Sequence, residues 1–317
     1  MEKPPLPPES LLECVPNVSD GCDAKAVAAI AAAFASAGAT LLDVESDRDH
    51  NRSVISMAGT RRQVVEGAVA GAKAAAARID LTKHQGAHPR MGATDVVPFI
   101  PLGETSMDEA VAAANEAAER IAREVGVPTY LYGDAARRPE RRDLAKVREG
   151  QFEGIRDAIA KDPARAPDFG PLAVHPTVGA TAVGARFFLI AFNVDLETRD
   201  VSLAKRIAKE IRERDGGMKA VKALGFDLPE RGWVQVSMNL TDYRVSSPLA
   251  AFEAVRSRAE AAGVRVAGSE LVGLIPAAAC PPGFAETVRL LTFDEDQVIE
   301  TRIAKRRGVR GPGGARA

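Results

Sequence analysis

The order of apolar runs predicts a mixed α/β (α+β) chain made of two ferredoxin-like split βαβ subdomains, each a sheet with helices on one face. Three observations carry this. Strand-length apolar or alternating runs are separated by alanine-rich segments with helical spacing. The second half reads β-α-β-β-α-β from "RFFLIAFNVDL" to "VRVAGSELVGLI". The first half has the same order with an extra helix and strand. Two such units would leave a groove between them, where ligand sites commonly form.

Taken in order, "LLECVPNVS" is a strand, and a helix follows from about Asp23 to Ala37. "ATLLDVES" is a strand between Gly38 and the polar "DRDH" turn, and "RSVISMAG" alternates as the next one. "TRRQVVEGAVAGAKAAAARI" has helical spacing behind a Thr60 cap. "DVVPFIPL" is a strand, and Ser106 with Glu109 is placed as a capping box for a helix to Val125. "VPTYLYG" closes this half. Residues from about Asp134 to Pro171 form a charged connection whose arginine runs suit a solvated face. After "RFFLIAFNVDL" come a helix Thr198–Asp215, strands at "KALGFDL" and "WVQVSMNLTD", a helix Pro248–Ala262 and the last strand. The expected parts are a proline-rich leader over 1–10, subdomains over 11–180 and 181–305, and a disordered tail over 306–317.

Composition narrows the function classes. The chain has 317 residues with a net charge of −1, so nothing in the balance points to a nucleic-acid or membrane-surface partner. No apolar run reaches the length of a membrane span, and "MEKPPLPPES" lacks the apolar core of a signal peptide. Cys14, Cys22 and Cys280 are too few and too odd for a disulfide framework and suit a cytoplasmic location.

The chemistry-bearing residues concentrate in "IDLTKHQGAHPRMGATDVVPFIPLG". Three readings compete. His84 and His88 are four apart, a spacing that could bind zinc on a helix, but Gly86 and Pro89 break that helical face, so no metal is expected. A plain polar loop is the bland alternative. The third is an acid–base site: a histidine, an arginine and an aspartate fall within His88 to Asp95, and these can move a proton, clamp a carboxylate and hold an imidazole.

"KHQGAHPRMGATDVVPFIP" closely resembles the signature of the glutamate formimidoyltransferase (formiminotransferase) family. "ECVPNVS", "LLDVESDRDHNRSV", "VPTYLYGDAARR", "DFGPLAVHPTVGATAVGARFFLIAFNVDL" and "GSELVGLIP" resemble the same family in its order, from about Leu12 to Leu291. The resemblance implies N- and C-terminal formiminotransferase subdomains flanking a folate-binding groove, in the stand-alone form without a cyclodeaminase domain. It also implies transfer of a formimino group from N-formimino-L-glutamate to tetrahydrofolate as co-substrate, in histidine catabolism. Formyl transfer between N-formylglutamate and folate stays open, as does a folate-binding module without turnover. A homodimer is compatible with long exposed helices.

Carried across residue by residue, the resemblance makes His88 the catalytic histidine, with His84 in support and Asp95 or Glu45 orienting the ring. The segment Gly170, Pro171, Leu172, Ala173, Val174, His175, Pro176, Thr177, Val178, Gly179 corresponds to the family's folate-binding loop. A bulky residue at Gly179 is expected to weaken folate binding and leave the fold intact. The donor's two carboxylates call for cations, and Arg90, Arg52 and Lys83 are the nearest. Arg137–Arg142 could line the groove for anionic, polyglutamylated folate tails.

Overall fold

A computed structural model describes residues 10–308; nearly all of the expected leader and tail lies outside the described residues. The chain divides into two compact units between Arg186 and Phe187. The first contains β1 (Leu11–Cys14), β2 (Asn17–Val18), α1 (Ala24–Ala35), β3 (Thr40–Asp47), β4 (Arg52–Gly59), α2 (Arg61–Ala76) and β5 (Thr94–Leu102). It continues with α3 (Met107–Val125), β6 (Thr129–Gly133), two short helices α4 (Leu144–Val147) and α5 (Gln151–Ala158), and β7 (Thr181–Ala185).

β1 and β2 form one line, because both pair antiparallel with β4 and β5. The line breaks at Pro16, which has no N–H for the ladder. With β3 beside β4, the order β3-β4-β1/β2-β5 is the expected split βαβ sheet. β7 and β6 extend it through parallel pairs β5–β7 and β7–β6. The sequence pattern misses β7 because all five of its small residues are buried, so no alternation marks it. It hydrogen-bonds within the first sheet. The first unit therefore ends after Arg186, not at 180 as the element pattern suggests.

Helices pack on this sheet through small residues. A methyl at Gly67 of α2 would stand 2.1 Å from the Phe34 carbonyl oxygen, and one at Gly71 would stand 2.2 Å from the Phe34 ring. The two glycines, one turn apart, thus let Phe34 of α1 sink completely against α2. On α3, Ala110, Ala113, Ala114, Ala117 and Ala118 are fully buried at helical spacing, which brings that helix close to the strands beneath. Thr60 caps α2 in a full capping box with Gln63, and Ser106 accepts the Glu109 N–H at 3.2 Å to cap α3.

The charged connection is less solvated than its composition suggests. Arg141 is buried, pairs with Asp168 at 2.7 Å and lies over the Tyr130 ring. Arg137 lies over Phe169, and Arg138 donates to the Pro163 carbonyl. These arginines hold their own segment together.

The second unit contains β8 (Ile190–Leu196), α6 (Val201–Ile211), β9 (Val221–Leu228), β10 (Trp233–Leu240), α7 (Pro248–Ala261) and β11 (Val266–Val272). Its antiparallel order β11-β8-β10-β9 is the ferredoxin-like one that the element pattern predicts. Two helices absent from that reading follow, α8 (Phe284–Thr287) and α9 (Ile299–Arg306). Ile299 and Ile303 are the buried side of α9. Among the described residues no helix is long and apolar enough to cross a membrane.

Candidate active site

The loop from α2 to β5 runs between two others of the first unit, and backbone bonds hold it on both sides. On one side Leu81 donates to the Thr177 carbonyl at 2.8 Å, Ala93 to Val178 at 2.8 Å, and Ala180 to Met91 at 2.9 Å. Gly92 and Gly179 meet there. Gly179 has a φ of +81°, and a Cβ on it would stand 2.3 Å from the Met91 carbonyl oxygen. On the other side Ala87 donates to Asp49 at 3.1 Å, and a Cβ on Gly86 would stand 2.4 Å from the His50 carbonyl. Three segments singled out in the sequence, around "DRDHNR", "HQGAHPRMG" and "VHPTVG", are therefore adjacent.

His88 sits partly buried in this loop. Its Nδ1 lies 2.6 Å from the Pro89 carbonyl oxygen, an acceptor, and 3.0 Å from Arg52 Nη1, a donor; we assign the hydrogen to Nδ1 on the shorter contact, to the carbonyl. Nε2 is then the basic nitrogen. It accepts from the Arg52 guanidinium, whose other terminal nitrogen donates to the Asn17 side chain on β2. The Asn17 amide in turn donates to the Val15 carbonyl at 2.7 Å, fixing its orientation.

Beneath lies Asp95, only 2% exposed, which accepts the Met91 N–H at 2.8 Å and pairs with Arg148. Among the described residues Asp95 makes no hydrogen bond to His88; it acts on the ring through charge. The Pro89 carbonyl holds the ring where a carboxylate was expected to. Glu45 stands exposed on β3, in register with Val54.

Burial and the positive charges of Arg52 and Arg148 push the His88 pKa down to about 4, against a smaller opposing pull from Asp95. The ring is thus neutral over the physiological range. Burial likewise lowers the Arg52 pKa to about 10, although Asp95 opposes it.

The other expected residues have local partners. His84 donates from Nε2 to the Asn51 carbonyl at 2.9 Å, which ties the loop to the start of β4. His175 Nδ1 accepts the Val178 N–H at 3.1 Å and so closes its own turn. Arg90 forms a two-pronged pair with Glu153 of α5, at 2.9 and 2.8 Å. Lys83 is 83% exposed and pairs with Asp80 at 3.3 Å. Of the three expected cations, only Arg52 reaches His88.

Two residues at the site escape the sequence reading. Asn17 lies inside the motif "ECVPNVS", so its presence there was a usable signal. Arg148 lies in "AKVREG", one basic residue among many, and nothing local marks it. Among the described residues no three His, Cys, Asp or Glu side chains gather as a metal site. The folate-loop candidate presents Leu172 61% exposed on a segment whose far end is pinned at Gly179.

The fold and this loop arrangement define an α/β protein of two units with a histidine site in the first, and comparison with known proteins gives its class. The description "Formiminotransferase domain, N-terminal subdomain" matches residues 11–186, and "Formiminotransferase domain" matches residues 191–310. The chain belongs to the formiminotransferase family. It is 47% identical over 295 residues to a glutamate formimidoyltransferase of Streptococcus pyogenes, covering 92% of this chain and 98% of that protein. A glutamate formimidoyltransferase of Thermoplasma acidophilum is 45% identical over 299 residues, covering 93% and 98%. The formimidoyltransferase-cyclodeaminase of Gallus gallus is 45% identical over 305 residues, 93% of this chain but 56% of that longer protein.

Proposed function

We propose that the chain transfers the formimino group of N-formimino-L-glutamate to N5 of tetrahydrofolate, releasing glutamate, with His88 carrying the proton. The relatives' names supply the reaction class. The observation that supports the histidine's role is its tautomer: Nδ1–H is spent on the Pro89 carbonyl, which leaves Nε2 as the basic nitrogen, in a loop that the Gly92–Gly179 bridge ties to segment 170–179.

The proton balance follows. N5 attacks the carbon of the protonated formimino group, and the tetrahedral adduct carries three nitrogens: N5, the glutamate nitrogen and the former imino nitrogen, now an NH2, whose C=N bond re-forms when the glutamate nitrogen leaves. Nε2 takes the proton that N5 must lose and returns it to the glutamate nitrogen, whose bond to carbon then breaks. Two neighbouring guanidiniums make the intermediate imidazolium a ready acid, so the return step is favoured. The Pro89 carbonyl keeps the ring in one orientation through both transfers. Loop 170–179 binds the pterin. The sparse free cysteines fit a reducing, cytoplasmic setting.

The test is purified protein with tetrahydrofolate and each donor in turn, followed by ultraviolet absorbance of the folate product. Product from N-formimino-L-glutamate is expected. Product from N-formyl-L-glutamate alone would replace this reading with formyl transfer. Folate binding without product from either donor would reduce the protein to a binding module.

A further inference from the structure

Charge does not balance around His88. The charged groups facing the ring are Arg52, Arg148 and Asp95. Those facing Arg52 are Asp95 and Arg148, with the buried Tyr132 beside them. One carboxylate thus serves two guanidiniums, and its oxygens are taken by Arg148 and the Met91 N–H. Among the described residues the Nε–H groups of Arg52 and Arg148 are both buried without an acceptor. Buried donors are nearly always paired, so two unpaired ones on cations that share a single carboxylate mark a place suited to an anion. Several other cations of this unit have their own carboxylates: Arg90 has Glu153, Arg141 has Asp168, and Arg120 has Glu66 and Glu124.

We propose that Arg52 and Arg148 together form the receptor for the α-carboxylate of the glutamyl donor, and that filling it draws Arg52 off Nε2 of His88. This rests on the formimino-transfer reading. The α-carboxylate sits on the carbon that bears the reacting nitrogen, so it must lie near the histidine that protonates that nitrogen. The folate's own glutamyl carboxylates are the other source of the same chemistry, but the p-aminobenzoyl ring separates them from N5. In the free protein Arg52 donates to Nε2 and occupies the basic lone pair. A carboxylate between the two guanidiniums gives that N–H a stronger, charged acceptor. Donor binding thereby uncovers the base. The orphaned Nε–H groups would gain their partner in the same event.

The experiment compares wild type, Arg148→Gln and Arg148→Lys on two donors, N-formimino-L-glutamate and N-formimino-4-aminobutyrate, which lacks the α-carboxylate. Arg148→Gln should lower kcat/KM for the first by roughly 10- to 100-fold, the range of one charged hydrogen bond. On the second donor the loss should be about tenfold smaller, since only the charge effect of Arg148 on the ring is shared by both donors, and KM for tetrahydrofolate should not change. Arg148→Lys keeps the charge against buried Asp95, so it guards against simple misfolding, and it should recover part of the loss. Equal losses on both donors would mean a structural role and overturn the proposal. So would a loss that appears in the folate KM and grows with glutamyl chain length.

A calorimetric arm without folate separates this inference from the reaction assignment. N-formyl-L-glutamate and N-formyl-4-aminobutyrate are titrated into wild type and both variants. Weakening confined to N-formyl-L-glutamate supports the receptor even if no turnover is found. Unchanged binding of N-formyl-L-glutamate to folded Arg148→Gln refutes it even if the enzyme is active.

Discussion

Replacing Arg52 with glutamine removes the strongest charge acting on His88 while keeping a side chain that can hydrogen-bond. The ring sits at about 4 because of burial first and Arg52 second. Two unit charges about 4 Å apart repel by about 1 kcal/mol in bulk water and about 4 kcal/mol at the dielectric of a protein surface. Each pH unit corresponds to about 1.4 kcal/mol, so the Arg52 contribution lies between roughly 0.7 and 3 units. Partial exposure of the ring favours the lower end. Arg52→Gln should therefore raise the His88 pKa by about one unit, to roughly 5, with burial and Arg148 still holding it below the ordinary value. The assay is a proton NMR titration of the histidine ring resonances. The chain has four histidines, and a His88→Asn variant assigns the relevant line. In wild type that line should complete its shift below pH 5. The sign is fixed: a ring depressed in the folded state is neutral across the physiological range, so activity should be lost only as pH falls toward 4. A wild-type His88 that titrates near 6.5, or an Arg52→Gln ring that does not move, would refute the placement of these charges.

Four further outcomes follow from the same geometry. His88→Ala should lower kcat by about a hundredfold to ten-thousandfold, the usual worth of positioned proton transfer, while His84→Ala and His175→Ala lose much less; folding is checked by circular dichroism. Asp95→Ala leaves Arg148 buried without its partner, and denaturant unfolding should show about 3–5 kcal/mol of lost stability. Gly179→Val should both weaken folate binding and lower Tm, because a Cβ there stands 2.3 Å from the Met91 carbonyl at a φ of +81°; this corrects the expectation of an undisturbed fold, and an unchanged Tm would contradict it. Treatment with EDTA followed by dialysis should leave full activity, and loss restored by zinc would argue for a metal in place of acid–base chemistry.

Much of this protein was legible in its residues because local signals agreed with the fold. Thr60 with Gln63 and Asp23 before Lys25 and Ala26 cap helices by hydrogen bonds within a few positions of sequence. The second unit's element order predicts its sheet order, since short connections leave few ways to arrange four strands. His88 stood out because Gly86 and Pro89 made a helical metal pair implausible and the surrounding motif was specific. β7 was hidden for the opposite reason. "TAVGA" has small apolar residues on both faces and becomes a strand only between β5 and β6, where a Cβ on Gly184 would stand 2.5 Å from the Tyr132 ring.

The sequence by itself determined the α/β architecture and the family and singled out His88 as the candidate, because periodicity, capping and motif order are written along the chain. Tertiary structure alone decided which charges surround that histidine. Arg52, Asp95 and Arg148 come from β4, β5 and a connecting segment, and only folding sets them around one ring. Arg90, the nearest cation in sequence, turns instead to Glu153 on α5. Electrostatic neighbourhood depends on distance in space, and a run of arginines reads the same whether it faces water, Asp168 or His88.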